Sequence, residues 1–292
     1  MKVVLTGSRG NLARAIITKA DWQVVPLNRE DWSDLDGLCS GASGGLRDGA
    51  MVDAIIHAAF DVQGAFGRDP MSFVESNVLA TARLLSAARD HGISRFFYVS
   101  SAAVYGHERS PEARRVIAPA TLYGLIKLLN ERLVRSFCED AGISFTTFRL
   151  FNLFGGDDRF SVIHRLDRAV GGKEPFVLNN GGNDWRDFIH VDDAARIIVA
   201  VVNSGRFPGE IDVGTGCATR IADIVDFVRQ VAPSVQIFHA NTQPGAAFSC
   251  ADISLIRDIA GDDFVSLPAW LAGRYGLPGS GFGDSSRRQS AG

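Results

Sequence analysis

The sequence predicts an α/β fold built on a doubly wound parallel sheet, with a smaller C-terminal α/β lobe. Two observations support this prediction. Short, nearly continuous apolar runs alternate with segments of helical periodicity, and a glycine-containing turn follows the first apolar run. Continuous apolar strands are typical of parallel sheets because helices cover both faces. With 292 residues, 46% of them apolar, the chain exceeds one ordinary domain and can bury a large core.

The elements of the first half follow from the spacing of their apolar residues. The predicted strands are Val3–Thr6, Gln23–Leu27, Ala54–His57, Arg95–Ser100 and Phe145–Leu150. The predicted helices are Leu12–Lys19, Phe73–Asp90 and Tyr123–Cys138. Residues 30–49 are rich in Gly, Ser and Asp where a further strand and helix are expected, so we predict an abbreviated sheet edge there.

The apolar pattern loosens after residue 150, where pairs of glycines interrupt it. Shorter elements follow, namely helices over Val191–Asn203 and Ile221–Val231 and a strand over Val235–Phe238. We therefore predict a first domain over 1–150, to which part of 187–215 returns, and a substrate-binding lobe over 151–275. The tail 276–292 is poor in apolar residues and is predicted to be disordered.

Charge and composition exclude several classes of partner. A net charge of −3 does not favour nucleic acid or a membrane surface. No apolar run approaches the ~20 residues that span a bilayer. The cysteines are far apart and without CxxC spacing, which predicts reduced thiols, a cytoplasmic location and no metal site. These cysteines are Cys39, Cys138, Cys217 and Cys250.

The opening stretch TGSRGNLA, residues 6–13, joins the first predicted strand to the first predicted helix. Glycines at such a junction let the backbone approach a pyrophosphate, which then meets the amides and the positive dipole of the helix N-terminus. Gly7 and Gly10 occupy this turn, and Ala13 is a small residue where a third glycine is common. The turn predicts a Rossmann-type NAD(P)-binding domain over 1–150.

Cofactor choice is expected at the end of the second strand, where an acid usually binds the ribose hydroxyl of NAD. This chain has Asn28 and Arg29 there, and Arg9 lies in the glycine turn. Two guanidinium groups suit a 2′-phosphate, which favours NADP(H), with Asn28 and Arg29 among the cofactor contacts. In the alternative the two arginines are solvated and NAD(H) is bound by one of the nearby acids Glu30, Asp31 and Asp34.

Tyr123 and Lys127 are four residues apart in a predicted helix and therefore share a face. An ammonium beside a phenol favours the phenolate, so we expect a lowered pKa for Tyr123. Such a tyrosine exchanges a proton with an alcohol or carbonyl near neutral pH. Ser101, at the end of a neighbouring strand, is placed to hydrogen-bond the same oxygen. In the alternative, Tyr123 and Lys127 are an ordinary amphipathic pair.

Several motifs together resemble those of a known family. They are TGSRGNLA (6–13), IIHAA (55–59), ESNVLAT (75–81), VSSAAVYG (99–106), YGLIK (123–127), RLFNLFG (149–155) and RDFIHVDDAA (186–195). In order and spacing the chain resembles the extended short-chain dehydrogenase/reductase family, the NAD-dependent epimerase/dehydratase group. Members of this family mostly act on nucleotide-activated sugars.

The resemblance implies a role for each matching residue. It implies a catalytic set of Ser101, Tyr123 and Lys127. It implies cofactor contacts from Gly7, Ser8, Arg9, Gly10, Asn11, Leu12, His57, Ala58, Ala59 and Asn77, together with Tyr123 and Lys127. It implies substrate contacts from Ser101, Asn152 and Arg186. It also implies a homodimer formed through the helices Phe73–Asp90 and Tyr123–Cys138.

The activity implied is an NAD(P)-dependent oxidoreductase acting on a nucleotide-activated sugar, in the first place a 4-ketoreductase. The alternative is a 4-epimerase that retains NAD and uses the same residues. A reductase of a non-sugar carbonyl and a non-catalytic dinucleotide sensor are weaker alternatives. Ala102 and Ala103 stand where the family's dehydratases carry an Asp-Glu pair, which argues against dehydration. Gln243 and Ala246 replace an arginine and an acid of the epimerases, which leaves the nucleotide contact open.

Overall fold

A computed structural model describes residues 1–28, 35–40, 51–61, 70–106, 116–240 and 247–276. These residues divide into two compact units. The first unit comprises the described residues of Met1–Gly106, Ile117–Leu150 and Ala195–Ile211. The second comprises those of His107–Val116, Phe151–Ala194 and Asp212–Gly292.

The first unit contains a six-stranded sheet. Its strands, in chain order, are β1 (Lys2–Thr6), β2 (Gln23–Leu27), β3 (Ala54–His57), β4 (Arg95–Ser101), β5 (Ser144–Leu150) and, further along the chain, β9 (Gly209–Val213). The spatial order is β2-β1-β3-β4-β5-β9. The pairs of β1 with β2 and β3, and of β4 with β3 and β5, are parallel. Because the order reverses beside β1, the sheet is doubly wound, which confirms the predicted fold class.

Helices follow the strands of this sheet. They are α1 (Asn11–Lys19), α2 (Leu35–Ser40), α3 (Pro70–Val74), α4 (Ala80–Asp90), α5 (Leu122–Ala141) and α7 (Val191–Ser204). A π-helical turn, Glu75–Leu79, joins α3 to α4, and a 3₁₀ turn, Ala102–Tyr105, follows β4. The prediction of a single regular helix over Phe73–Asp90 is therefore wrong in its first half, where the chain forms a π-helical turn.

Strand β4 buries side chains on both faces of the sheet. Phe96 and Tyr98 point to one face and pack in a cluster with residues of α4 and α5. Phe97 points to the other face, where its ring stacks on Phe148 at 6.1 Å and lies 6.0 Å from Phe207. Fully burying an aromatic side chain contributes about 1.5–3 kcal/mol, so this central strand is a major source of stability in the unit.

In the part of the second unit that the structure describes, there are two small sheets and four helices. Its strands are β6 (Asn152–Phe154), β7 (Phe176–Asn179), β8 (Trp185–His190), β10 (Ala218–Arg220), β11 (Ile237–Ala240) and β12 (Phe248–Ser249). Its helices are α6 (Val162–Val170), α8 (Ile221–Val231), α9 (Ser254–Ala260) and α10 (Leu267–Tyr275), with a 3₁₀ turn at Asn180–Gly182. Strand β8 pairs with β6, β10 and β12, and β7 pairs with β11. The strand predicted over Val235–Phe238 begins two residues later than predicted, because Val235 belongs to the turn that follows α8.

A buried carboxylate organises the second unit around β8. Asp187 is fully buried and accepts hydrogen bonds from the backbone amides of Thr215, Gly216 and Ala251, as well as from the Thr215 hydroxyl. Burial raises the pKa of Asp187, and these hydrogen bonds act in the opposite direction. Asp187 thereby ties β8 to two turns that are distant in sequence.

In the segments that the structure describes, no helix combines the length and the apolarity needed to cross a membrane.

Candidate active site

The turn between β1 and α1 brings two backbone segments into close contact. Gly7 has a φ of +66°, and a Cβ placed on it would lie 2.8 Å from the Cα of Ala59. Gly10 caps α1 and has no side chain with which to bond the first-turn amides. A turn of this shape leaves a helix N-terminus open to an anion and lets backbone approach it closely. The glycine turn therefore fits the pyrophosphate of a dinucleotide.

The end of β2 lies beside this turn. Ser8 donates a hydrogen bond to Oδ1 of Asn28 at 2.9 Å, which links the glycine turn to the residue that follows β2. Arg9 is exposed. Arg29 and the alternative acids Glu30, Asp31 and Asp34 lie outside the described residues, so the discrimination between NADP(H) and NAD(H) remains a prediction.

His57, at the end of β3, belongs to a directed chain of hydrogen bonds. The Ala59 amide donates to Thr6 Oγ1 at 3.0 Å, and Thr81 Oγ1 donates to the Asn77 carbonyl oxygen at 2.7 Å. His57 Nε2 therefore donates to Thr81 Oγ1 at 3.1 Å, and Nδ1 accepts from Thr6 Oγ1 at 2.7 Å. Burial, with a smaller effect of Lys127, lowers the pKa of His57 to about 3. The neutral imidazole holds Ala59 in place beside Gly7.

Asn77 lies in the π-helical turn and is buried. Its Nδ2 donates to the Phe73 carbonyl at 3.0 Å, and its Oδ1 accepts from the Asp61 amide at 2.8 Å. Its own carbonyl accepts from Asn130 Nδ2 on α5 at 3.2 Å, in addition to Thr81. A π-helical turn shifts the backbone hydrogen-bond register, and such turns are frequent at functional sites. Here it fixes the chain that follows β3 to the helix that carries Lys127.

Ser101 and Tyr123 are brought together by a close approach of α5 to the 3₁₀ turn. Ser101 caps that turn by accepting from the Ala103 amide at 3.2 Å. A Cβ on Gly124 would lie 2.5 Å from the Ala103 carbonyl oxygen, so only glycine permits this packing. Thr121 caps α5 through a hydrogen bond from the Gly124 amide at 3.1 Å. This packing brings the Ser101 side chain close enough to Tyr123 to favour its phenolate through hydrogen bonding.

The pKa of Tyr123 differs from the sequence-based expectation. Burial raises it, and the hydrogen bond with Ser101 acts in the opposite direction. The expected lowering by Lys127 is wrong for this structure, because burial disfavours the phenolate more than its polar neighbours favour it. The Lys127 Nζ lies 5.9 Å from the centre of the Tyr123 ring.

Lys127 is a buried lysine. Its Nζ donates to the Val99 carbonyl oxygen at 2.8 Å. Burial lowers the pKa of Lys127 to about 7, and the charge of Glu131 acts in the opposite direction. Both protonation states of Lys127 are therefore populated near neutral pH.

A buried ion pair lies one turn further along α5 and was not predicted from the sequence. Glu131 pairs with Arg149, whose Nη2 lies 2.7 Å from Oε2, and Ser100 donates to Oε1 at 2.5 Å. Arg149 Nη1 also donates to the Tyr105 hydroxyl at 3.1 Å. The position of Glu131, four residues after Lys127 on the same helix face, was the available signal.

The second unit carries the two residues predicted to contact the substrate outside the sheet domain. Asn152 Nδ2 donates to the Asp187 carbonyl at 2.9 Å. Arg186 lies 3.2 Å from Asp184 and donates to the carbonyls of Trp185 and Ala247. Burial lowers the pKa of Arg186, with Asp184 acting in the opposite direction. Both side chains border β8, and their contact with a substrate remains a prediction.

The model of the NAD dependent epimerase/dehydratase family matches residues 3–214. The chain belongs to this family. The family resemblance stated from the motifs is thereby confirmed.

Individual relatives are of two kinds. UDP-glucose 4-epimerase of Rhizobium leguminosarum bv. trifolii is 29% identical over 222 residues, which cover 65% of this chain and 68% of that protein. GDP-L-fucose synthase of Escherichia coli (strain K12) is 23% identical over 308 residues, covering 94% of this chain and 95% of that protein. The matches to UDP-glucose epimerases span only 61–68% of those relatives.

Among solved structures, UDP-glucuronic acid 4-epimerase from Bacillus cereus, in complex with UDP-glucuronic acid and NAD, is similar. It superposes with a TM-score of 0.76 at 23% identity and covers 91% of this chain and 95% of that one. At this identity the similarity establishes the shared fold.

Proposed function

We propose that this protein is an NAD-dependent 4-epimerase of a nucleotide-activated sugar. The observation that supports this most directly is the close approach of Ser101 and Tyr123, with buried Lys127 beside them, at the carboxyl end of β4. The match to a UDP-glucose 4-epimerase supports epimerisation over the 4-ketoreductase that the motifs alone favoured. A UDP-hexose is the substrate class that this match supports best.

The described residues fit NAD at several points. The N-terminus of α1 and the backbone around Gly7 and Gly10 would hold the pyrophosphate. Ala58 and Ala59, fixed through His57, would line the cofactor beyond β3. When bound, NAD⁺ supplies a hydride acceptor and a positive charge. A positive charge nearby lowers the pKa of a phenol, which opposes the effect of burial on Tyr123.

The protein groups supply the proton transfers of a 4-epimerisation. Tyr123 removes the proton from the sugar 4-hydroxyl and later returns it to the oxygen of the 4-ketone. Ser101 donates a hydrogen bond to the same oxygen and stabilises its developing charge. Lys127 orients the ribose and supplies positive charge beside the phenol. With NAD⁺ bound, the hydride removed from sugar C4 would be returned to the opposite face of C4, so cofactor and substrate composition would be unchanged overall.

A second candidate is an NADP(H)-dependent 4-ketoreductase. The exposed Arg9 in the glycine turn is suited to a 2′-phosphate. The match to GDP-L-fucose synthase extends over nearly the whole chain. In this case NADPH would exchange in every turnover rather than remain bound.

The test separates the two candidates by cofactor and by isotope. Purified protein is denatured and the released nucleotide is identified by mass. UDP-glucose, UDP-glucuronic acid and UDP-N-acetylglucosamine, each deuterated at C4, are incubated with the protein without added cofactor, and products are followed by NMR. We expect released NAD⁺ and a C4 epimer that retains deuterium. Conversion of 4-keto sugars only with added NADPH, with transfer of its hydride, would establish the reductase instead.

We also propose that the protein forms a homodimer through α4 and α5. Large apolar side chains are exposed on α5 and on the segment before α4, namely Met71, Leu79, Leu122, Leu125 and Leu129. Several exposed large apolar side chains on neighbouring segments favour association. Light scattering should show a dimer for the native chain and a monomer for Leu125→Arg. Leu255→Arg, at an exposed leucine of the second unit, is the control that should stay dimeric.

A further inference from the structure

Phe60 follows the segment that leads out of β3, and its ring lies over the ammonium of Lys127. The Nζ is 4.0 Å from the ring centre, well within the distance for a cation–π interaction. We propose that the face of the Phe60 ring is the partner that holds Lys127 in its charged form at the active site, which makes Phe60 a positioning residue. This inference rests on the role given to Lys127 in the proposed function.

The surroundings of the Lys127 ammonium are largely aromatic. The ring centres of Tyr98 and Tyr123 lie 5.1 and 5.9 Å from Nζ, further than that of Phe60. Among the described residues, the one hydrogen bond of this ammonium goes to the Val99 carbonyl. An ammonium has three N–H donors, so ring faces supply much of the remaining stabilisation.

The ionisable groups that face Lys127 do not replace the stabilisation of its cation by the aromatic ring faces. Tyr98 on β4 and Tyr123 on α5 are neutral, since burial raises the pKa of both phenols. His57 on β3 is neutral as well, because its pKa is lowered to about 3. Glu131 on α5 favours the charged lysine, but its carboxylate is held by Arg149 and Ser100. Of the described rings around Nζ, that of Phe60 is the nearest, at 4.0 Å against 5.1 Å for Tyr98 and 5.9 Å for Tyr123.

Phe60 is itself held in a fixed orientation. Its ring meets Tyr123 edge to face at 5.2 Å and Phe73 edge to face at 5.9 Å. Edge-to-face pairs of this geometry contribute beyond their buried area. The ring therefore contacts both the proposed acid–base residue and the lysine, and it keeps its face towards Nζ.

The chain contains four lysines, Lys2, Lys19, Lys127 and Lys173, which makes a direct measurement of Lys127 ionisation practical. Protein labelled with ¹³C at lysine Cε gives one side-chain signal per lysine, and the Lys127 signal is assigned with Lys127→Arg. Titration of that signal gives the pKa without any substrate or turnover. For the native chain we expect a pKa of about 7.

Phe60→Leu keeps an apolar side chain but removes the ring face. We expect the pKa of Lys127 to fall by about 0.5–1.5 pH units, since the favourable interaction with the cation is lost. Phe60→Tyr restores a ring face and should return the native value. Phe73→Leu removes the more distant of the two rings that contact Phe60, and because the closer contact with Tyr123 remains, it should leave the Lys127 pKa near the native value.

An unchanged or raised Lys127 pKa in Phe60→Leu would overturn the proposal, as would an equal fall in Phe73→Leu. Native positions for the other lysine signals verify that each variant is folded. Because the titration needs no substrate, a protein inactive on every nucleotide sugar would contradict the proposed function while leaving this measurement intact.

Discussion

The Nδ1 atom of His57 lies 2.7 Å from the hydroxyl of Thr6, and this hydrogen bond joins the ends of two adjacent strands. The imidazole is neutral and its pKa is about 3, lowered by burial and by Lys127. In the unfolded chain the pKa of histidine is close to 6.5. Between these two values the unfolded state binds a proton that the folded state does not.

The sign of the resulting pH dependence follows from that difference. The contribution of His57 to stability is complete above pH 6.5 and is lost as the pH falls towards 3. We expect the free energy of unfolding to fall by about 1.4 kcal/mol per pH unit from this group between pH 6 and 4. Urea unfolding at each pH gives the free energy of unfolding, and its decrease per pH unit should be smaller for His57→Gln than for the native chain. His239→Gln, at an exposed histidine, should keep the native slope.

Gly7→Ala tests the close approach between the glycine turn and Ala59. Gly92 has the same φ of +66°, but a Cβ there meets nothing within 4 Å. Gly92→Ala should therefore lower the free energy of unfolding only by the ~1–2 kcal/mol that alanine costs in a left-handed backbone conformation. Gly7→Ala adds a clash with the Ala59 backbone and should lose more stability, together with at least tenfold in NAD⁺ affinity. Equal stability losses and unchanged NAD⁺ binding by calorimetry would show that the approach does not shape a cofactor site.

Tyr123→Phe tests the proton transfer. The variant removes the phenol oxygen and keeps the ring that contacts Phe60, so NAD⁺ binding should persist. We expect turnover to fall by about 10²–10⁴-fold, the range for removal of a general acid–base group. Tyr275→Phe makes the same change in the second unit, where the hydroxyl donates to Asp167, and should keep native turnover. Residual activity within a few-fold of native in Tyr123→Phe would exclude it as the acid–base group.

The fold of the first unit was predictable because its strands are continuous apolar runs and its turns carry glycine. The predicted strand Gln23–Leu27 matches β2, and Ala54–His57 matches β3. Strand β8 was not predicted, since Asp187 interrupts its apolar pattern and finds its donors on Thr215, Gly216 and Ala251, far along the chain.

The candidate site was predictable in composition but not in electrostatics. Sequence spacing places Tyr123 and Lys127 on one helix face, which gives the sign of their interaction but not the degree of burial. Burial determines both pKa directions in the structure. Phe60 carries no sequence signal at all, because its contact with Lys127 depends on how two distant segments pack.

Gly124 decides how closely α5 approaches the turn that carries Ser101. Replacing an exposed helix glycine by alanine usually stabilises a protein by about 0.5–1 kcal/mol. Gly273 in α10 is such a position, since a Cβ there meets nothing within 4 Å. At Gly124 the same Cβ would lie 2.5 Å from the Ala103 carbonyl oxygen, which is backbone and cannot rotate away.

Gly273→Ala and Gly124→Ala should therefore change the stability of the protein in opposite directions. We expect Gly273→Ala to raise the melting temperature and leave turnover unchanged. Gly124→Ala should lose about 1–3 kcal/mol through overpacking, and it should move Tyr123 away from Ser101. A displacement of about 1 Å at reacting groups can cost about 10²-fold in rate, so turnover should fall by a similar factor. If Gly124→Ala were as stable and as active as Gly273→Ala, the tight packing of α5 on this turn would not be what aligns Tyr123 with Ser101.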